Sequence, residues 1–432
     1  MILNDLVAKM DAPDQHGFIY PDYGRFCFSG IPGTVSQALG VRPWRPGLPA
    51  EATTAAEPRK GYRTVVLLLV DGLGYDVWLR NADDGGAIAA LGRNGSVAPI
   101  TAVFPSTTAA ALSTLSTGQM PIEHGLLEWL LYMEELDETI ETLPFRPVGV
   151  RGQDVLMASG ADPKVLLDAE PVYERLGHEG ISSYTLLDEE IAGSEYSRLV
   201  NKGSATIGYS GMLGMIDAMA KTIEKAKGRT FIYAYYGGLD SAAHDQGPDS
   251  SMAATELTIL SSALNGMLFR RLSREAADDT LFMLASDHGQ IQIDPERTMY
   301  LNSDRTLASA LRKGRRGKAI PPVGGPRDLM LHVSNENVDR VREHLARTLA
   351  DRALVMSTKE AERKGMFGPG DAGDRYRRRV GDLLVLTKGA ETVWYEHLPG
   401  RRMEMRGIHG GLSRKEMLVP FAVAEMKRLR GG

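Results

Sequence analysis

Three apolar, β-branched runs in this chain each close on residues able to bind a metal. Residues 64–70 of TVVLLLVDGLGYD are continuously apolar, the pattern of a strand buried on both faces as in a parallel sheet, and they deliver Asp71 to a strand end. TFIYAYYGGLDSAAHDQG passes from a strand into a glycine turn that carries Asp240 and His244, and DTLFMLASDHGQ ends in the adjacent pair Asp287 and His288. Residues 211–227 and 251–274 between them read as helices. Strands alternating with helices predict an α/β fold with a mainly parallel central sheet and helices on both faces. In such sheets ligands gather beyond the carboxyl ends of the strands, where loops and helix N-termini converge.

A different pattern fills ITAVFPSTTAAALSTLSTGQMP: a short strand, a proline, a hydroxyl cluster, and an alanine-rich helix ending near Gly118. Ser106, Thr107 and Thr108 therefore lie around a helix start, where unpaired backbone N–H groups favour an anion. Trp129, downstream of that helix, suits either a core or a pocket; Tyr233, Tyr235 and Tyr236 on their strand suit core packing. His124 is expected to make a turn or supporting hydrogen bond.

The irregular first stretch predicts an N-terminal extension over 1–60, packed on a core built from 61–127, 204–300 and 401–432. The more polar segments 128–203 and 301–400 read as cap or insertion elements. The 432 residues, 43% of them hydrophobic and 24% charged, are ordinary for a globular protein and separate no enzyme from a scaffold. A net charge of −5 argues against a general nucleic-acid surface, and the basic runs at 312–318 and 375–379 lack interleaved aromatics, so they read as solvated faces. The single cysteine, Cys27, excludes an internal disulfide and any multi-cysteine metal cluster. Acids and a lysine precede any long apolar run at the start, and no stretch reaches the roughly 18 apolar residues of a membrane span, so a cytoplasmic location is expected. DGLGYD lacks the order of a nucleotide-triphosphate loop or dinucleotide fingerprint; its glycines let the chain bend around Asp71. The oligomeric state is not legible.

Taken singly, the spacing D-x-x-x-H at 240–244, the pair 287–288 and His409 in RGIHGGLSRKEMLVPF are each explicable as ordinary turns or polar loops. Taken in order with Asp71 and the hydroxyl cluster, they resemble the type I phosphodiesterase and nucleotide pyrophosphatase family of the alkaline phosphatase superfamily. The resemblance covers about 64–125, 204–295 and 402–428. It implies an alkaline-phosphatase-like sheet with a smaller cap. It also implies one metal held by Asp240, His244 and His409, and a second held by Asp71, Asp287 and His288 with the nucleophilic Thr108. Thr107 is the rival nucleophile.

Two divalent ions are implied, zinc first because three histidines join the carboxylates, with manganese or iron fitting the same donors. Such a pair stabilises attacking and leaving oxygens in phosphoryl transfer. The expected activity is phosphodiester hydrolysis through a phosphothreonine, on a small phosphate ester or nucleotide-like substrate. Phosphomonoester, phosphonate and sulfate-ester hydrolysis are alternatives on the same core, and a non-catalytic metal-binding or scaffold protein is the reading from another class. Against the family pattern that the chain resembles, Ala111 stands where an asparagine usually contacts a substrate oxygen, and an alanine side chain leaves that contact out.

Overall fold

The computed structural model describes residues 2–54 and 61–431. Its main sheet has seven strands: β1 (Thr64–Val70), β2 (Ser96–Thr101), β3 (Ser182–Asp188), β4 (Ala205–Tyr209), β5 (Thr230–Tyr236), β6 (Thr280–Ala285) and β7 (Leu418–Glu425). They lie side by side in the order β2-β7-β6-β1-β5-β3-β4. β1 pairs in parallel with both β5 and β6, and only β7 runs against its neighbours. The sequence explains the centre of this order. Every residue of β1 and β6 is buried, which only strands covered on both faces can afford.

Parallel register brings the three predicted ligand-bearing strand ends to one edge. Val70 lies opposite Tyr236, and Leu69 opposite Ala285, so Asp71 emerges beside both the turn before Asp240 and the segment carrying Asp287. The Asp71 amide donates to the Tyr236 carbonyl at 2.9 Å, extending the β1–β5 ladder by one residue.

Residues 2–54 are less irregular than expected. They include helices Asn4–Met10 and Ile31–Ala38 and bury Phe18, Phe26, Phe28, Ile31 and Leu39 in the main core. Residues 55–60 of the expected extension lie outside the described residues. The segment 128–203 is not all insertion, because β3 within it joins the main sheet. Its earlier part forms a three-stranded antiparallel sheet, Leu130–Met133, Glu138–Glu141 and Arg146–Pro147. Within 301–400, Asp328–Leu331, Leu383–Thr387 and Ala353–Ser357 form another, around a small core that includes Leu329, Val341, Leu345 and Val385. Among the described residues no helix is long and apolar enough to cross a membrane.

Candidate active site

All seven residues predicted from sequence converge at the carboxyl edge of the sheet. Asp240 and His244 share a face of the helix Gly238–Gln246, with Asp240 Oδ2 3.4 Å from His244 Nε2. Asp71 Oδ1 is 3.3 Å and Asp287 Oδ2 3.5 Å from His288 Nε2. The His409 ring stacks on His288 with centroids 3.7 Å apart and lies 5.1 Å from His244. Two trios have donor atoms within 4.8 Å of one another: Asp240, His244 and His409, and Asp71, Asp240 and His288. Asp240 thus stands between both groups, whereas Asp287 reaches the second through its contact with His288.

The local sequence makes this crowding possible. Gly72 has φ +74°, and a Cβ there would come within 3.1 Å of the Asp240 carboxylate, so the turn after β1 needs glycine on two counts. At Gly407 a Cβ would overlap the Ala243 carbonyl, and its absence lets His244 Nδ1 reach the Gly407 carbonyl at 2.8 Å.

The donor set fits metal ions. His409 Nδ1 lies 3.0 Å from the Ser106 carbonyl and His288 Nδ1 3.2 Å from that of Gly289, so, as in His244, Nδ1 donates and the neutral Nε2 lone pair faces the site. Asp71 Oδ1 and Asp287 Oδ2 are buried and accept no hydrogen bond from any described residue. Burial, then Asp287 and Asp240, push the Asp71 carboxyl well above its ordinary range; burial likewise raises Asp240 and Asp287. Burial and its neighbouring imidazoles hold His409 well below the usual histidine value, and burial lowers His288. Carboxylates crowded in a dry pocket beside neutral imidazoles require a cation to remain ionised.

Thr108 opens the helix Thr108–Thr117, after Thr107 at the N-cap. Its Oγ1 is 3.1 Å from His288 Nε2 and 3.4 Å from Asp71 Oδ2, with the unpaired amides of the first helical turn beside it. Ser106 is fully buried and donates to the Gly411 carbonyl at 2.7 Å, tying this loop to the one bearing His409.

Two supporting residues escaped the sequence reading. The Tyr235 hydroxyl donates to Asp71 Oδ2, and the Gln290 amide donates to Asp240 Oδ1. The two-residue alternation of a strand could have placed Tyr235 on one face with Tyr233; both line the cavity. Gln290 carried no such signal. Other expectations need correction. Ala111 is buried in the core away from the cavity lining, so a missing side chain there removes no substrate contact. Arg379 is not solvated: it is fully buried and donates to the carbonyls of Gly125, Leu166 and Val165. His124 is buried on Thr114 and the Leu126 amide, as a supporting histidine.

A cavity of about 770 Å³ opens from Thr108, Asp71, Asp240, His244 and His409. Trp129 stands at it, 43% exposed, and the irregular stretch 398–406 contributes Arg401, Arg402 and Met405.

Murine ectonucleotide pyrophosphatase / phosphodiesterase 5 superposes with a TM-score of 0.60 at 16% identity, over 83% of this chain and 87% of its own. An inactive threonine-to-alanine variant of that murine protein, in complex with AMP, gives 0.59 at 16% identity over the same shares, 83% and 87%. Phosphonoacetate hydrolase from Sinorhizobium meliloti 1021, in complex with phosphonoformate, gives 0.59 at 16% identity, over 86% of this chain and 95% of its own. At these identities the superpositions show a common fold. Comparison with curated proteins returns no match. The profile of one family, described as type I phosphodiesterase / nucleotide pyrophosphatase, matches residues 65–412, and the chain belongs to that family of hydrolytic enzymes.

Proposed function

We propose that this protein is a metal-dependent phosphodiester hydrolase with Thr108 as its nucleophile. The observation that carries the reading is the position of Thr108 Oγ1, at a helix N-terminus and 3.1 Å from the Nε2 atom of His288. Asp240, His244 and His409 would hold one divalent ion, and Asp71, Asp287 and His288 the other, with zinc the first choice for an imidazole-rich set. When bound, the two ions supply the positive charge that makes a threonine hydroxyl ionisable near neutral pH and offsets charge on the phosphoryl oxygens.

Thr108 Oγ gives up its proton and forms a bond to phosphorus as the bond to the leaving alcohol breaks and that alcohol takes up a proton, giving a phosphodiester of Thr108 that keeps the substrate's second substituent. Water then attacks phosphorus on the opposite side from Thr108, which leaves with a proton restored. The amides of the first turn after Thr107 offer donors to a non-bridging oxygen. Tyr235 and Gln290 hold Asp71 and Asp240 in place. The inactive threonine-to-alanine variant of the murine relative is consistent with this role for Thr108. We further read the sheets formed within 128–203 and 301–400 as the cap that selects substrate.

The cavity favours a diester over a monoester. Beyond the Asp71 and Asp240 carboxylates of the site, Glu128 and Glu141 are engaged with Asp328 and Arg146, Glu404 is exposed, and the cavity's arginines are the exposed Arg401 and Arg402. Among the described residues no buried lysine or arginine lines it to neutralise a second phosphate charge, while its volume leaves room for a second substituent. The test is kcat/KM under metal saturation for aryl-alkyl phosphate, aryl monophosphate, aryl sulfate and phosphonoacetate. A diester preference of at least about tenfold, roughly 1.4 kcal/mol, is expected. Thr108→Val should remove most turnover and Thr107→Val much less. A monoester, sulfate or phosphonate preference overturns the substrate assignment, and reversed variant effects move the nucleophile to Thr107.

A further inference from the structure

The mouth of the cavity differs in composition from the rest of the surface. Trp129, Arg401, Arg402 and Met405 both line the cavity and are exposed, which places them where it opens. Two irregular segments, 148–153 and 398–406, meet beside them. A Cβ on Gly149 would come within 2.7 Å of the Leu398 side chain, and Leu398 lines the cavity, as does Val148. The short helix Val155–Ser159 follows the first segment and carries Met157. It is tied to the mouth by the Asp154 amide, which donates at 2.8 Å to the carbonyl of Pro144, another lining residue.

Apolar tips and unpaired arginines share this rim. Among the described residues seven large apolar side chains stay well exposed, and four of them are here: Trp129 at 43%, Val150 at 40%, Met157 at 41% and Met405 at 45%. Exposed apolar residues scattered singly are ordinary, but this concentration around one opening marks a contact surface. The two segments also carry Arg151, Arg401, Arg402 and Arg406 against Glu404 alone, a net charge of +3 on a chain whose total is −5. All four arginines are exposed and form no ion pair with a described residue. Exposed arginines elsewhere, such as Arg198, Arg297 and Arg378, each meet a carboxylate. Arg402 instead lies over the Tyr300 ring, 5.3 Å from its centre, which holds the side chain without neutralising it.

We propose that this rim docks on the surface of an anionic phospholipid bilayer, so that the mouth of the active site faces the membrane. A stable protein partner covers a continuous apolar centre ringed by polar groups. Here single apolar tips are interspersed with arginines, which suits the boundary between headgroups and acyl chains. The guanidinium groups reach lipid phosphates while Trp129, Val150, Met157 and Met405 enter the apolar edge. At physiological salt the attraction extends only about 8 Å, so the +3 of the rim rather than the −5 of the chain decides its sign. The docking does not depend on which ester the site hydrolyses.

The test is co-sedimentation of the full-length, metal-loaded protein with vesicles of phosphatidylcholine alone or mixed with phosphatidylglycerol. Binding to the anionic vesicles should be at least about tenfold tighter. It should fall at least about tenfold as salt rises from about 0.1 M to about 1 M, where the screening length shrinks from ~10 to ~3 Å. Each arginine near such a surface is worth about fivefold, so the charge reversal Arg151→Glu should weaken binding by at least about tenfold. Val150→Asp/Met157→Asp, which replaces two apolar tips outside the cavity lining, should weaken it at least about as much while the unfolding temperature stays unchanged. At saturating vesicle, brominated acyl chains should quench tryptophan fluorescence in the unmodified protein and much less in Trp129→Phe, which reads the orientation of the mouth. Equal affinity for neutral and anionic vesicles, binding that survives these rim substitutions, or no quenching of Trp129 overturns the proposal. A concentration-dependent dimer that the same substitutions dissolve, with no vesicle binding, also overturns it and makes the rim a contact between copies of this chain. If the protein hydrolyses no phosphodiester, the functional assignment fails while vesicle binding through the rim still supports the docking surface.

Discussion

The Tyr235 hydroxyl donates a 2.5 Å hydrogen bond to Asp71 Oδ2, so a residue inside one strand fixes the carboxylate at the end of the next. That bond occupies one oxygen of Asp71 and leaves Oδ1, 3.3 Å from His288 Nε2, free for a cation. Supporting donors of this kind typically change metal affinity by about 10- to 100-fold. Tyr235→Phe should therefore weaken binding of one divalent ion by that factor while leaving the ion at His244 and His409 less affected. Competition against a chromophoric chelator resolves the two affinities; two unchanged constants would show that Tyr235 only packs.

Arg327 and Glu416 form a fully buried bidentate pair at 2.9 and 2.8 Å that joins the 301–400 segment to the site. Glu416 also accepts from the amides of Gly411 and Ser413, and its carbonyl accepts from Gly289, next to His288. Burial pushes the Glu416 carboxyl up, but Arg327 and these donors outweigh it and hold the group below its ordinary value. A depressed carboxyl stabilises the fold above its unfolded pKa and loses that contribution as pH falls through the folded value. Arg327→Met should cost about 3–5 kcal/mol at neutral pH by stranding a buried carboxylate, and Arg327→Met/Glu416→Leu should recover much of it. Urea denaturation measures both; a single variant no weaker than the double would contradict the account.

His124 accepts from the Leu126 amide at 3.0 Å and meets Thr114 Oγ1 at 3.1 Å. Burial, reinforced by Arg379, pushes its pKa down from 6.5 to about 3. Its neutral form is therefore stabilising above pH 6.5, and this contribution declines as pH falls toward about 3. His124→Gln should flatten the dependence of unfolding free energy on pH between 6 and 4 by about 1.4 kcal/mol per pH unit, one proton's worth. Urea titrations at three pH values in that window give the slope, and an unaltered slope would mean that His124 does not take up the proton.

The legible part of this protein was local. A continuous apolar run such as 64–70 must be buried on both faces whatever surrounds it, and the residue that follows must sit at a sheet edge. That logic placed Asp71, Asp287 and His288, and four-residue helical spacing placed Asp240 beside His244. The start of the helix at Thr108 and its end at Gly118, with φ +70°, were equally local. Short-range pattern treated Arg379 as solvated although three carbonyls distant in sequence enclose it, and the family resemblance set Ala111 at a substrate contact although it is buried away from the cavity.

What the sequence determined by itself was therefore the set of elements and the chemistry at their ends, because burial of apolar runs and helix capping depend on neighbours a few residues away. The tertiary structure alone decided which ends meet. It set β1 between β5 and β6, placed Asp240 between the two trios, and turned Tyr235 and Gln290 onto the carboxylates. It also shaped a cavity from residues as far apart as Leu112, Val200 and His409. Those outcomes rest on contacts between segments far apart in the chain, 50 residues for Gln290 on Asp240 and 164 for Tyr235 on Asp71, whose pairing follows from the packing of the whole core rather than from any single stretch of chain.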